Sequence, residues 1–367
     1  MAKIAPFQGI RYNRNKVDDL SKVVSQPYDR VRFGLQERYY DLHPYNIVRI
    51  IKGKETEVDR PEGPNVYTRA RDFYQAWIDA GYLLQDMQSA LYAYHQTFAL
   101  PDGTELTRKA FVAALELVEF DKGIVLPHER THSGPKVDRL NLLRATEVNF
   151  GQIFMLYPDP QNEINALFDS AIAGRAPDID VRELLEKDVR QQVWVVTDPQ
   201  VISGVVALMD PKEGLIIADG HHRYETALNF RDEMRAKHPD APTNAGFNYR
   251  MVTLVSMDDP GLTILPTHRE INAYTAKATG QVLAEAGEYF AVEPVAGRAA
   301  LEAGLAEATP AERRIGFYDG RYYLLKLKDP GVMDEVAPDR AALALAALAL
   351  LESLLVELGR RAADDGV

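Results

Sequence analysis

The sequence predicts a mixed α/β protein, and three observations support this fold class. Between residues 152 and 257, short apolar runs alternate with segments whose apolar residues recur every three or four positions. Such alternation of strands and helices favours helices packed on a sheet. The chain has 367 residues, of which 46% are hydrophobic, so we expect two or three packed units rather than a single core.

The composition excludes several classes of protein. The formal net charge of −12 argues against general binding of nucleic acid, because a long phosphate backbone would be repelled. The absence of cysteine rules out disulfides, thiolate metal sites and cysteine nucleophiles. Residues 1–9 lack the pattern of a secretory signal, and no stretch reaches the roughly 20 apolar residues of a membrane span. We therefore expect a cytoplasmic protein with small-molecule partners and no membrane association, and the oligomeric state stays open.

An N-terminal α+β region is predicted over residues 1–120. Its elements follow from apolar spacing and from turn residues such as Pro101, Asp102 and Gly103. In chain order they are extended pieces at 5–12 and 22–29, a helix over 65–80, and a hairpin whose strands cover 91–100 and 106–118.

A core region is predicted over residues 121–273, followed by a small α+β appendage over 274–330 and a C-terminal helix and tail over 331–367. Helices in the core region are expected at 138–146, 162–173, 200–209 and 224–237, and strands at 152–157, 193–196, 215–218 and 249–257. The appendage is expected to contain a helix, a strand, a second helix and a hairpin that turns at Asp319 and Gly320.

The leading candidate site is the pentapeptide Asp219-Gly220-His221-His222-Arg223, between a predicted strand and a predicted helix. The backbone N–H groups and positive end of a helix attract an anion, a glycine lets the backbone approach it, and an arginine adds a forked charge. We therefore predict that Gly220, His221, His222 and Arg223 bind phosphate. Of the two adjacent histidines, one can bond the phosphate while the other fixes the turn. Asp219 either holds a divalent cation or caps the helix.

A second candidate is the string His128-Glu129-Arg130-Thr131-His132, which satisfies the H-E-x-x-H pattern of zinc proteases. That chemistry needs a helix through both histidines, but Pro127 precedes the string and Ser133-Gly134-Pro135 is expected to break a helix. We therefore favour a polar loop in which Glu129 accepts a hydroxyl proton, while His128, Arg130 and Lys136 bind an anionic substrate or phosphate. Two alternatives stay open: a metal site formed by His128, Glu129 and His132, or a surface pair between Glu129 and Arg130.

Two further pairs are candidates for the same pocket. His268 and Arg269 follow a predicted strand end and would add positive charge for phosphate. Tyr28 and Asp29 follow Pro27 and would contact the substrate; ordinary turn chemistry explains each pair equally well.

Four segments resemble landmarks of the uncharacterised family called domain of unknown function 1015. They are residues 27–29, 127–131, 216–227 and 261–269, and the resemblance covers roughly residues 5 to 330. The Gly-His-His-Arg turn is also similar, more distantly, to the ParB and sulfiredoxin superfamily, whose members bind nucleotides there and include an archaeal free serine kinase. This second resemblance implies a ParB/sulfiredoxin-like nucleotide-binding core with additional α+β segments, and Mg²⁺ with ADP or ATP as cofactors. Sulfiredoxin carries its nucleophilic cysteine in this turn, where His221 stands here, so its redox chemistry does not carry over.

The leading functional hypothesis is a nucleotide-dependent phosphotransferase, a small-molecule kinase that acts on a hydroxyl metabolite, with serine as one candidate. Glu129, Asp219 and His222 would be its catalytic residues, with Asp219 on magnesium and Glu129 as the base. No Walker sequence and no G-x-G-x-x-G sequence is present, so such an enzyme would be neither a P-loop nor a Rossmann protein. The alternatives are a non-catalytic nucleotide-binding regulatory protein and a metal-dependent hydrolase that uses residues 128–132.

Overall fold

A computed structural model describes residues 1–32, 34–100, 102–128, 133–185, 188–263, 276–309 and 312–332 of the chain. The chain divides into two compact units, Met1–Ile264 and Leu265–Val367. Within the described residues, no helix is both long enough and apolar enough to cross a membrane. The Ala- and Leu-rich segment at 341–351, expected to be a helix, lies outside the described residues.

The first unit contains a large sheet, a two-stranded ribbon and the helices around them. Its described elements are, in chain order, β1 (Ile4–Ala5), β2 (Ile10–Tyr12), α1 (Leu35–Leu42), α2 (Val48–Ile51), α3 (Val66–Asp79), β3 (Leu83–Gln85), β4 (Leu91–Ala99), β5 (Glu105–Glu116), β6 (Val125–Leu126), α4 (Ser133–Thr146), β7 (Ile153–Tyr157), α5 (Glu163–Ile172), β8 (Ile179–Arg182), β9 (Arg190–Val196), α6 (Pro199–Met209), β10 (Leu215–Asp219), α7 (His221–Lys237) and β11 (Tyr249–Ser256).

The large sheet is mixed, with the strand order β6-β10-β7-β11-β5-β4-β9-β8, and β1 pairs with β5. β6 runs parallel to β10 and β7 runs parallel to β11, whereas the other pairs are antiparallel. The mixed α/β fold class is therefore confirmed. Strands that precede Phe120 pair with strands that follow it, so the segment expected to form an N-terminal region contributes to the same sheet as the expected core.

The core of the first unit fixes both sides of the candidate turn. Leu215 and Ile217 of β10 are fully buried, as is Tyr224 of α7. Fully burying a large apolar side chain contributes about 1.5–3 kcal/mol to the free energy of folding. The Tyr224 hydroxyl also donates to the carbonyl of Val118 at 2.8 Å and accepts from its N–H at 3.1 Å, and its ring stacks on Phe120. The strand that enters the turn and the helix that leaves it are thus both anchored.

Two helices begin three or more residues before their predicted starts. α4 begins at Ser133, although Ser133-Gly134-Pro135 was expected to break a helix. The physical reason is that a proline in the first turn lacks only an N–H that has no partner within the helix. α7 begins at His221, three residues before the predicted start at Tyr224. Both histidines of the pentapeptide therefore lie in the first helical turn.

The prediction of an extended piece at residues 22–29 is wrong, because no strand forms there. A 3₁₀ turn at Leu20–Lys22 is instead followed by irregular backbone. The other short extended piece contains β1 and β2, and the predicted hairpin is the pair β4 and β5.

The second unit has its own small sheet. Its described elements are α8 (Ala276–Tyr289), β12 (Phe290–Val295), α9 (Arg298–Ala306), β13 (Arg314–Tyr318) and β14 (Tyr322–Leu327). The strands pair antiparallel in the order β12-β14-β13. The predicted order of helix, strand, helix and hairpin is confirmed, and Gly320 takes the positive φ of 102° that its turn requires.

Candidate functional site

The centre of the candidate site is Gly220, the single residue between β10 and α7. Its φ of 100° and ψ of 27° lie in the left-handed region, which favours glycine. A Cβ placed on it would lie only 3.1 Å from Nε and Cζ of Arg223. The turn therefore needs a glycine for its backbone conformation and for the close approach of the arginine.

Arg223 is held against this turn by two contacts. Its Nη2 donates to Oδ2 of Asp219 at 2.7 Å, and its Nη1 donates to the carbonyl of Gln152, just before β7. The Arg223 side chain is 11% exposed and that of Asp219 is 59% exposed. The arginine charge is thus largely buried beside the helix start, while the carboxylate is open to solvent and within reach of a cation.

His221 is buried and ties α7 to the end of β6. Its Nε2 accepts a hydrogen bond from the backbone N–H of His128 at 3.1 Å, and the two imidazole rings lie edge to face at 4.5 Å between centroids. Burial, followed by the charge of His128, lowers the pKa of His221 to about 3. His221 is therefore neutral near pH 7 and acts as an acceptor that fixes the turn. Its neighbour His222 is half-buried in the same helical turn.

Lys136, in the first turn of α4, forms an ion pair with Glu225, in the first turn of α7. The Lys136 side chain is 29% exposed, and α4 packs along α7. Lys136 therefore lies beside the helix that begins at Gly220, and its charge is partly compensated by a carboxylate of that helix.

Arg250 in β11 is a basic residue of this region that sequence reasoning missed. It is 6% exposed, and its Nη2 donates to the carbonyl of Gly151 at 2.8 Å. Burial, followed by the charges of Arg223 and Arg139, lowers the pKa of Arg250 to about 9. The available signal was a single arginine within the otherwise apolar run of residues 249–255.

Arg139 of α4 is the third arginine of the group, and it connects the group to Tyr28. Its Nε and Nη2 donate to Oδ2 of Asp138 at 2.9 and 2.6 Å, and its Nη1 donates to the carbonyl of Ile51 at 3.0 Å. Its guanidinium lies 3.9 Å from the centroid of the Tyr28 ring. Burial raises the pKa of Tyr28, against the lowering effect of Arg139 and Arg223. We call Arg139, Arg223 and Arg250 the arginine cluster.

The structure brings together only part of the predicted site. His128 and Lys136 contact α7, and Tyr28 lies against Arg139 of the arginine cluster. Residues 219–223 form the end of β10 and the start of α7. Asp29 is exposed and affects the site only by raising the pKa of Tyr28. Glu129, Arg130, His132, His268 and Arg269 lie outside the described residues.

Asp219, the metal ligand of the leading hypothesis, lies among the described residues, as does His128 of the alternative metal site. The described residues contain no group of three or more His, Asp or Glu that could hold a metal ion. Mg²⁺, however, usually takes one or two carboxylates and completes its coordination with waters and substrate phosphates. An exposed carboxylate at the end of β10, beside a helix N-terminus, is a donor that fits such a cation.

Comparison with known proteins places the chain in a family. A family model described as a protein of unknown function (DUF1015) matches residues 4–352. The chain belongs to this family. No curated protein and no solved structure matches the chain. Membership of the DUF1015 family agrees with the resemblance carried by the four sequence landmarks, including the one that contains Gly220.

Proposed function

We propose that this DUF1015 protein is a nucleotide-dependent phosphotransferase that acts on a small hydroxyl metabolite. The observation that carries the proposal is the placement of Arg223 against Gly220 at the first turn of α7. α7 has 17 residues, and the first N–H groups of such a helix have no intrahelical partner and concentrate positive potential. An arginine beside those groups supplies the forked donor that phosphate oxygens match.

Phosphoryl transfer makes modest demands on a protein, because catalysis consists mainly of positioning and charge stabilisation. In this proposal, His222, Arg223 and the backbone N–H groups after Gly220 bind the phosphates of the nucleotide. Asp219 would hold Mg²⁺, which would neutralise charge on those phosphates. His221 keeps the turn in place, and Glu129 is assigned as the base that accepts the substrate proton.

The assignment of the ligand as a nucleotide rests on the similarity of the Gly-His-His-Arg turn to the ParB and sulfiredoxin superfamily. We extend the proposal accordingly to a ParB/sulfiredoxin-like core with ADP or ATP as the cofactor. Serine is a candidate substrate on the same ground.

The first test is calorimetric titration of the full chain with ADP and ATP, with and without Mg²⁺. Arg223→Ala removes a charge-assisted contact, which is typically worth about 1.5–3 kcal/mol, so its affinity should fall by about tenfold or more. Arg144→Ala is the matched control, because it removes an arginine of α4 that is likewise held in an ion pair, with Glu233 of α7 at 2.5 Å. The proposal fails if the wild type binds neither nucleotide, or if both variants bind as the wild type does.

The second test separates catalysis from binding. The wild type and Glu129→Gln are incubated with MgATP and a panel of hydroxyl metabolites that includes serine, and ADP release is measured. Turnover that is lost in the variant, with unchanged nucleotide affinity, supports a phosphotransferase. Nucleotide binding without turnover on any substrate would instead indicate a regulatory protein.

A further inference from the structure

Arg250 is a buried cation with an incomplete set of partners. Within the described parts of the chain, Arg250 forms no ion pair with a carboxylate, and its Nε is shielded from solvent without a hydrogen-bond partner. Among the described residues, its side chain donates a single hydrogen bond, from Nη2 to the carbonyl of Gly151 at 2.8 Å. By contrast, Arg231, which is 4% exposed, is paired with Glu119 and Asp232. A buried charge is costly unless an opposite charge compensates it.

The surroundings of Arg250 add positive charge instead of compensating it. Consecutive residues hold two guanidiniums through their carbonyls: Gly151 accepts from Arg250 and Gln152 accepts from Arg223, and the charge of Arg223 acts on Arg250. Arg139 is close enough to act on Arg250 as a further cation. Asp219 pairs with Arg223 and Asp138 pairs with Arg139, whereas no carboxylate of the described residues pairs with Arg250, the third cation of the cluster.

The sheet explains why these groups meet. β7 lies between β10 and β11, and the pairs Asp219–Phe154 and Val252–Ile153 bring the end of β10 and the starts of β7 and β11 to one edge. Arg250 therefore lies at the same sheet edge as the turn that carries Arg223. Both Arg223 and Arg139 have side chains that are 11% exposed, so solvent reaches the cluster.

We propose that the arginine cluster, through Arg250, binds an oxyanion group of the substrate, so that the hydroxyl metabolite is itself a carboxylate or a phosphate ester. Guanidinium forks match both groups geometrically, and an oxyanion would supply the missing negative charge and an acceptor for Nε. Naming the substrate class in this way rests on the proposed phosphotransferase function, whereas oxyanion binding at Arg250 can be measured without it.

The test is calorimetry on the full chain with inorganic phosphate, D-glycerate, glycerol 3-phosphate and glycerol, each with and without MgADP. Glycerol is the control for the hydroxyl groups without an oxyanion. We expect at least one oxyanion probe to bind ten times more tightly than glycerol. Arg250→Met should weaken that binding at least tenfold while changing the affinity for MgADP less than twofold. Arg250→Lys keeps the charge but loses the fork, so its affinity for the oxyanion probe should lie between those of the wild type and Arg250→Met. Arg144→Ala should bind the probe as the wild type does.

Four outcomes separate the two proposals. If the chain binds an oxyanion through Arg250 but binds no ADP, the result supports the subsite and overturns the proposed phosphotransferase function. ADP binding without any preference for the oxyanion probes over glycerol overturns the subsite alone. Equal loss of ADP and oxyanion affinity in Arg250→Met overturns a separate subsite, because Arg250 would then belong to the nucleotide site. Oxyanion binding that survives in a folded Arg250→Met variant also overturns it.

Discussion

Nη2 of Arg223 donates a hydrogen bond to Oδ2 of Asp219 at 2.7 Å, across the glycine turn that joins β10 to α7. In this pair, Arg223 carries the charge that a phosphate would require, and Asp219 carries the charge that a cation would require. In the proposed site, a phosphate group would compete with Asp219 for the guanidinium, and a divalent cation would compete with Arg223 for the carboxylate. Binding of the two ligands at this turn should therefore be positively coupled.

Asp219→Asn tests this coupling. Without Mg²⁺, the variant should bind ADP at least as tightly as the wild type, because the carboxylate no longer competes for Arg223. Mg²⁺ should raise the ADP affinity of the wild type, and this increase should be lost in the variant. ADP titrations at several MgCl₂ concentrations measure both effects. Asp232→Asn is the control, since Asp232 of α7 is also 59% exposed and also paired with an arginine. A full Mg²⁺ effect in Asp219→Asn would contradict the assignment of Asp219.

Gly220→Ala tests the close approach of Arg223. A left-handed backbone costs a residue with a Cβ about 1–2 kcal/mol, and the new Cβ would also displace the guanidinium. We expect lower stability in urea unfolding together with weaker ADP binding. Gly214→Ala is the control, because Gly214 also has a positive φ, of 68°, but its Cβ would meet only Leu126 at 3.7 Å. If the two substitutions weaken ADP binding equally, the approach of Arg223 to Gly220 does not contribute to binding, and Gly220→Ala acts only by lowering the stability of the fold.

The sequence was sufficient to predict this turn because its signals are local. A short apolar run that includes two isoleucines, followed by Asp219 and Gly220, marks a strand end, and the apolar positions after Tyr224 mark a helix. The start of α7 was misplaced because His221 and His222 are polar and carry no apolar periodicity, whereas the backbone becomes helical directly after the glycine. α4 begins earlier than its apolar spacing predicts because Pro135 lies in the first helical turn, where proline does not break a helix.

The arginine cluster could not be predicted in the same way, because its three members come from β11, α4 and α7. Their proximity depends on the pairing of β7 with both β10 and β11, which is a long-range property. Arg250 stood out only as a charge in an apolar strand, and its meaning depends on which charges surround it. The sequence shows that an arginine is present, but not that it lacks a carboxylate.

Arg250→Met should make the unliganded protein more stable. Replacement of a buried charge by an apolar side chain of similar size is often neutral or stabilising, by about 1–4 kcal/mol. We expect a gain within this range at pH 7, measured by urea unfolding, and a loss of the further stabilisation that an oxyanion gives the wild type. Arg231→Met is the control and should be destabilising, because Glu119 and the carbonyl of Leu117 would lose their partner. A clear loss of stability in Arg250→Met would mean that the protein already compensates its charge.

The stability of the protein should also depend on pH through His221. The pKa of His221 is lowered from 6.5 to about 3 in the folded protein, so the unfolded chain binds more protons than the folded one between these values. Stability is therefore fully retained above about pH 6.5 and falls as the pH decreases toward 3, by up to about tenfold in the folding equilibrium per pH unit. His221→Gln keeps an acceptor for the His128 N–H but cannot titrate.

Unfolding in urea at a series of pH values from 7 to 4 measures this contribution as the difference in slope between wild type and His221→Gln. His238→Gln, at the exposed end of α7, controls for the loss of an ordinary histidine. His221→Gln should lose less stability than the wild type on acidification, because one proton-linked group has been removed. Identical slopes would show that His221 is as readily protonated in the fold as in the unfolded chain, and that its hydrogen bond to His128 does not hold it neutral.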